Sequence, residues 1–125
     1  MRAGPANGGR AETVRFVAPY VVELADVAVP ETRSGEILVR AEFSGISGGT
    51  EMLAYRGELD SSLPKDETLG ALTGSFEYPF TYGYSAVGTV EASRTDLGEG
   101  ERVFAFHPHQ TRFVVPAADV VPISD

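Results

Sequence analysis

A chain of 125 residues, 42% hydrophobic and 22% charged, fits one soluble globular domain with a modest core. Its 18 acidic against 10 basic residues leave a net charge of −8, which opposes binding to nucleic acid phosphates and mostly confers solubility. The absence of cysteine removes disulfides, thiol nucleophiles and every cysteine-containing zinc site. No apolar run reaches the length of a membrane span, and the opening MRAGPANGGRAE lacks the apolar core of a signal peptide. A cytoplasmic protein without membrane partners is therefore expected.

Residues 1–12 read as a disordered leader and 13–125 as the domain. Thr13 to Val17 and Tyr20 to Val27 are strand-like, rich in β-branched and aromatic residues, with Pro19 as punctuation. Glu36 to Phe43 alternates, which predicts a half-buried strand with Ile37, Val39, Ala41 and Phe43 on its inner face. Thr50 can cap a short helix through Arg56, and Gly57 can end it. Residues 58–80 are the least regular part, with Asp60, Asp66, Glu67, Gly70 and Gly74. Tyr82 to Ala92 resumes as a strand whose Gly83 and Gly88 predict a bulge or a close backbone approach. Strands follow at Glu101 to Phe106 and Thr111 to Val115, and Val120 to Ile123 adds a short edge pairing. About seven short strands and one helix predict a mainly β fold, a small barrel or sandwich.

Four segments, in order, carry a resemblance: SGEILVRAEFSGIS, YPFTYGYSAVGTV, GEGERVFAF and QTRFVVPAADVVPI. Together they resemble the N-terminal GroES-like catalytic domain of the medium-chain dehydrogenase/reductase superfamily, the alcohol dehydrogenase type. The resemblance spans about residues 13–124 and implies a GroES-like, partly open β-barrel with one short helix. Two departures bear on chemistry. Where zinc-dependent relatives place a cysteine after Gly-Ile, this chain has Ser47, and where they have Gly-His-Glu it has Gly83-Tyr84-Ser85. A serine hydroxyl and a phenol are poor zinc ligands, so the resemblance implies the zinc-ligand-poor branch, similar to quinone and enoyl reductases, with no metal site. Relatives continue beyond this point into a Rossmann half. The 125 residues contain no strand-linked G-x-G-x-x-G, so a truncated domain is expected that binds NAD(P) only through a partner Rossmann domain.

Several residues can carry chemistry. His107 and His109, two apart in a strand, would share a face and converge on one ligand as proton donors or on one metal, or else sit as edge histidines bonded to backbone. Tyr84 and Ser85 are placed by the resemblance at the substrate cleft, where Tyr84, assisted by Ser47, would hydrogen-bond a carbonyl oxygen, or Tyr84 would simply pack. Thr50 and Glu51 follow the turn where relatives contact cofactor or relay protons, or they form a capping pair. Arg56 suits a carboxylate or phosphate, or pairs with a neighbouring acid. Phe76, Tyr78, Phe80, Tyr82 and Tyr84 alternate, as a pocket lining or as core.

The expected function is the substrate-side domain of a zinc-independent NAD(P)-dependent alcohol dehydrogenase/reductase-like oxidoreductase, acting on a carbonyl, alkene or polyketide-like substrate with a separate Rossmann partner. Tyr84, His109 and Ser47 are the expected catalytic residues; His107, Ser85, Thr50, Glu51 and Arg56 are the expected substrate contacts. The alternatives are a stand-alone cofactor-free ligand-binding protein or cyclase/isomerase using the same cleft, and a homo-oligomeric assembly role for the face that relatives bury on the Rossmann domain.

Overall fold

The computed structural model describes residues 9–59 and 75–123. Their order is β1 (Gly9–Ala18), β2 (Val21–Val29), β3 (Glu36–Ser44), α1 (Thr50–Arg56), β4 (Ala86–Ser93), β5 (Arg102–Ala105), β6 (Arg112–Pro116) and β7 (Val120–Ile123). The fold is mainly β, with one α-helix among the described residues. β1 and β2 form a hairpin, and the other five strands form an antiparallel sheet in the order β6-β3-β4-β5-β7.

Apolar side chains divide the five-stranded sheet between two faces. Ile37, Val39, Val90, Val103, Phe113 and Val115 pack on one face. Leu38 and Ala92 emerge on the other and meet Ala11 and Val29 of the hairpin. A third cluster joins Phe16, Ala54 of α1, and the aromatic run Phe76, Phe80 and Tyr82. This third cluster is the floor beneath α1.

Several expectations shift. Residues 9–12, expected in the leader, pair with 26–29 in the hairpin; residues 1–8 lie outside the described residues. In β3, Phe43 is 68% exposed rather than buried, and Leu38 is fully buried rather than facing solvent. Register shifts at Leu38/Val39 and Ala41/Phe43 break the strict two-residue alternation, and the hairpin covers the face that was expected to be wet. α1 has the expected bounds, but its N-cap is Gly49, without a side-chain cap bond, and Thr50 is its first residue. Gly57 closes it in the left-handed conformation, φ 74°. The strand expected from Tyr82 begins only at Ala86, and 81–85 cross as irregular chain. Asp60, Asp66, Glu67, Gly70 and Gly74 lie outside the described residues.

The segment before β6 is what positions the site. Val14 N–H and Thr13 Oγ1 both donate to the His109 carbonyl, each at 3.1 Å. Two residues later, Thr111 N–H donates to Glu12 O at 2.9 Å, and Ala41 N–H donates to Thr111 O at 2.8 Å. His109 is thereby clamped between the hairpin and the sheet.

Gly88 meets its expectation of close approach. A Cβ there would lie 2.6 Å from Val39 Cγ1 and closer still to the Arg40 carbonyl, inside the β3–β4 pairing. Neither neighbour is the free end of a flexible chain. Gly88→Ala should lower stability by about 2 kcal/mol, seen as a fall in the urea midpoint at constant m-value; an unchanged midpoint would refute this packing.

Candidate functional site

Glu51 stands in the first turn of α1, where a carboxylate is favoured by the helix dipole, yet it is only 1% exposed. A buried carboxylate must be fully bonded to be tolerated. Its Oε2 accepts the Ser47 N–H at 2.8 Å, and its Oε1 lies 2.5 Å from His109 Nε2. With both carboxylate oxygens accepting, His109 donates through Nε2–H. Ser44, the last residue of β3, sets its hydroxyl in hydrogen-bond contact with Nδ1 and also lies 3.4 Å from the Ser85 carbonyl, to which it can donate. Ser44–His109–Glu51 is one hydrogen-bonded string joining β3, the segment before β6, and α1.

The string opens on a cavity of about 510 Å³. Its apolar wall comprises Val14, Phe16, Val22, Ile46, Met52 and Tyr55, and its polar groups are Ser44, Glu51 and His109. Val22 and Ile46, at 47% and 71% exposure, form an open apolar rim. This is the layout of a small-molecule site: a greasy wall with a few convergent polar groups.

The expected residues separate on inspection. His107 and His109 do not converge, since no strand runs between them and the alternation argument fails. The His107 ring stacks on Phe113 at 4.0 Å, its Nδ1 bonds Pro108 O at 2.8 Å, and burial pushes its pKa down to about 4. It is a packed histidine. Ser47 contributes its amide to Glu51, while its hydroxyl accepts the Gly49 N–H at 3.1 Å; it builds the turn. Tyr84 packs its ring against Tyr82 at 5.8 Å, in the aromatic cluster. The Ser85 carbonyl accepts Gly45 N–H at 2.8 Å and secures the end of β3. Arg56 pairs with Glu58 through bonds of 3.0 and 3.2 Å, and that acid raises its pKa. Thr50 begins α1 beside Glu51. The alternating aromatics form core: Phe16 stacks on Phe80 at 5.1 Å, and Phe76 meets Phe80 and Tyr82 edge-on.

Ser44 escaped the sequence reading because nothing local marks it. Gly83 carried a usable signal. It sits at φ 135°, and a Cβ there would come 2.7 Å from His109 Nε2, so its missing side chain is the room the imidazole occupies. Among the described residues, no group of three or more His, Asp or Glu converges as a metal cage. The hydroxyls of Ser47 and Tyr84 do not fit a zinc ion either, the first being engaged in its own turn and neither matching thiolate or imidazole.

No protein-family model matches the chain. It is 34% identical over 97 residues to 2-desacetyl-2-hydroxyethyl bacteriochlorophyllide A dehydrogenase of Cereibacter sphaeroides, covering 76% of this chain but 27% of that protein. An alcohol dehydrogenase from Escherichia coli, solved with NADH, superposes with a TM-score of 0.67 at 18% identity, over 94% of this chain and 40% of its own. The protein CAD from Helicobacter pylori, solved with NADP(H), gives a TM-score of 0.69 at 11% identity, over 93% and 42%. The chain thus spans well under half the length of these proteins, and the two structures establish the shared fold.

Two outcomes follow from this geometry. Gly83→Ala should cost about 2 kcal/mol in urea unfolding and displace the His109 ring, read as a change in its imidazole NMR shifts; an unmoved ring would refute the contact. His107 has a folded pKa of about 4 against an ordinary 6.5, so below pH 6.5 the unfolded chain binds a proton that the folded chain refuses. Its contribution is complete above pH 6.5 and falls as pH drops toward 4, by about 3 kcal/mol in all. His107→Phe should remove that part of the acid slope; parallel stability–pH curves for the two proteins would contradict it.

Proposed function

We propose that this chain, which belongs to the alcohol dehydrogenase-like medium-chain dehydrogenases/reductases as their GroES-like domain, forms the substrate side of a zinc-independent oxidoreductase. The observation that carries this is the Ser44–His109–Glu51 string facing an apolar cavity of about 510 Å³. The resemblance puts the metal of zinc-dependent relatives at the positions of Ser47 and Tyr84, and the Ser47 amide is bonded to Glu51 of this string.

The cavity wall supports one substrate class. An apolar cavity with an exposed apolar rim suits a secondary alcohol, or its carbonyl, carried on a large apolar skeleton whose bulk remains outside. The hydroxyethyl group in the name of the Cereibacter sphaeroides relative belongs to this class. Ser44 and His109 would hold the substrate oxygen, a task zinc performs elsewhere by attracting the same oxygen as a Lewis acid.

NAD(P) supplies the hydride chemistry in such enzymes. All strand pairs described here are antiparallel, so these residues offer no βαβ turn for nucleotide phosphates and do not fit that cofactor. The nucleotide would be held by a Rossmann domain, on a longer polypeptide or a separate one, docked against the cavity rim. Among the described residues no helix is long and apolar enough to cross a membrane, and we assign the protein to the cytoplasm.

The test combines binding and turnover. The 125-residue chain should quench the fluorescence of a hydroxyethyl-bearing chlorin while showing no micromolar affinity for NADPH or NADH. With a Rossmann half joined or added, NAD(P)H formation should appear without added zinc and survive a chelator. Micromolar NADPH binding by the chain alone, or activity lost to the chelator and restored by zinc, would overturn the proposal. Conversion of a ligand by the chain with no nucleotide present would favour a cofactor-free enzyme instead.

A further inference from the structure

Val14, Ser44 and His109 line two cavities at once: the apolar one described above and a second of about 340 Å³. The hairpin forms one bank of both. In its antiparallel register Phe16 stands opposite Val22 and Val14 opposite Leu24, so these four side chains share one face. Phe16 and Val22 meet the first cavity, Leu24 meets the second, and Val14 meets both. The end of β3 and the turn after it form the other bank, with Ile46 on the first cavity and Ala41 and Phe43 on the second. Two cavities that share three residues and both banks are one trough, with His109 midway along it.

The second half of the trough is apolar in what it offers a ligand. Its polar wall groups are turned to protein partners. Gln110 Nε2 donates to Arg112 O at 2.8 Å, Glu42 pairs with Arg102 at 3.1 Å, and Thr111 Oγ1 accepts the Glu12 N–H at 2.9 Å. What remains is Val14, Leu24, Ala41 and Phe43, with Leu24 and Phe43 each 68% exposed on opposite banks. Glu12, next along the hairpin face, ends the apolar run. Large apolar side chains left open on both banks of one groove offer surface that a bound skeleton would cover.

We infer that the second cavity is a subsite for the substrate skeleton, where Leu24 and Phe43 select secondary alcohols carried on a wide, rigid, polycyclic or macrocyclic body. The inference rests on the oxidoreductase reading above and extends its substrate class: the bulk left outside the first cavity lies along the trough. Ser44 and His109 stand at the middle, so a skeleton that extends both ways from the oxygen-bearing carbon touches the apolar side chains of both halves. A single ring fits within the first cavity, of about 510 Å³, and gains nothing from Leu24 or Phe43. A flexible chain that reached the second cavity would lose rotamer freedom in doing so, a cost that a rigid skeleton does not carry. The trough therefore discriminates by width and stiffness.

Binding is read with the 125-residue chain in the absence of nucleotide. The wide probe is a hydroxyethyl-bearing chlorin, followed by its fluorescence and by methyl NMR of the protein; the narrow probe is 1-phenylethanol, followed by methyl NMR. The chlorin should shift the methyl resonances of Leu24 together with those of Val22 and Ile46, and 1-phenylethanol those of Val22 and Ile46 alone. Leu24→Ala and Phe43→Ala should each lower the chlorin-to-phenylethanol affinity ratio about tenfold, the loss of one large apolar contact. Val121→Ala, at an exposed apolar position on the β7 edge of the sheet, should keep the native ratio. A native ratio in both Leu24→Ala and Phe43→Ala, chlorin shifts that spare Leu24, or an equal fall in Val121→Ala would overturn the subsite. So would a native chain that leaves the chlorin fluorescence unquenched. In the form joined to a nucleotide-binding half, the same two variants should lower kcat/KM for the chlorin alcohol about tenfold. Should that form never turn over, the oxidoreductase reading fails and the binding ratio still decides the subsite. Turnover of 1-phenylethanol without chlorin binding would keep that reading and overturn the subsite.

Discussion

One buried bond, Glu51 Oε1 to His109 Nε2 at 2.5 Å, organises the rest of the site. A carboxylate that is 1% exposed on a seven-residue helix would be costly by itself. The imidazole and the Ser47 amide offset that cost, and in doing so fix where α1 sits against the sheet. The same bond engages Nε2 of His109 and turns Nδ1 toward Ser44. Structure and chemistry depend here on a single contact.

That contact needs support from both sides. On one side, the hairpin holds the His109 backbone through Thr13 and Val14, while β3 holds Thr111. On the other, the aromatic cluster of Phe16, Phe76, Phe80 and Tyr82 carries Ala54 of α1. Gly83 leaves the volume into which the ring fits. The clamp holds the imidazole between α1 and the end of β3.

The fold was legible because its signals are local. The alternation of Glu36 to Phe43, the Gly57 stop and the four ordered segments all lie within short windows. The third-dimension details were not: Leu38 is buried because a hairpin covers its face, and Phe43 is exposed because bulges reset the register. The site was half legible. His109 and Glu51 stood among the expected residues in separate roles, but 58 positions divide them, and no periodicity reports a pairing at that distance. Ser44 is an ordinary strand end in sequence. The expected convergence of His107 with His109 failed for a plain reason: alternation belongs to strands, and the chain there is not one.

Where the resemblance placed cysteine and histidine ligands, the chain has Ser47 and Tyr84, and the Ser44–His109–Glu51 string lies beside them. The account stands or falls on the coupling between Glu51 and His109. A double-mutant cycle of Glu51→Gln and His109→Gln, read by urea unfolding of the 125-residue chain, measures that coupling directly. A buried, charge-assisted bond predicts single losses that exceed additivity by about 2 kcal/mol. Losses that add to within about 0.5 kcal/mol would show the two side chains to be independent and contradict the account.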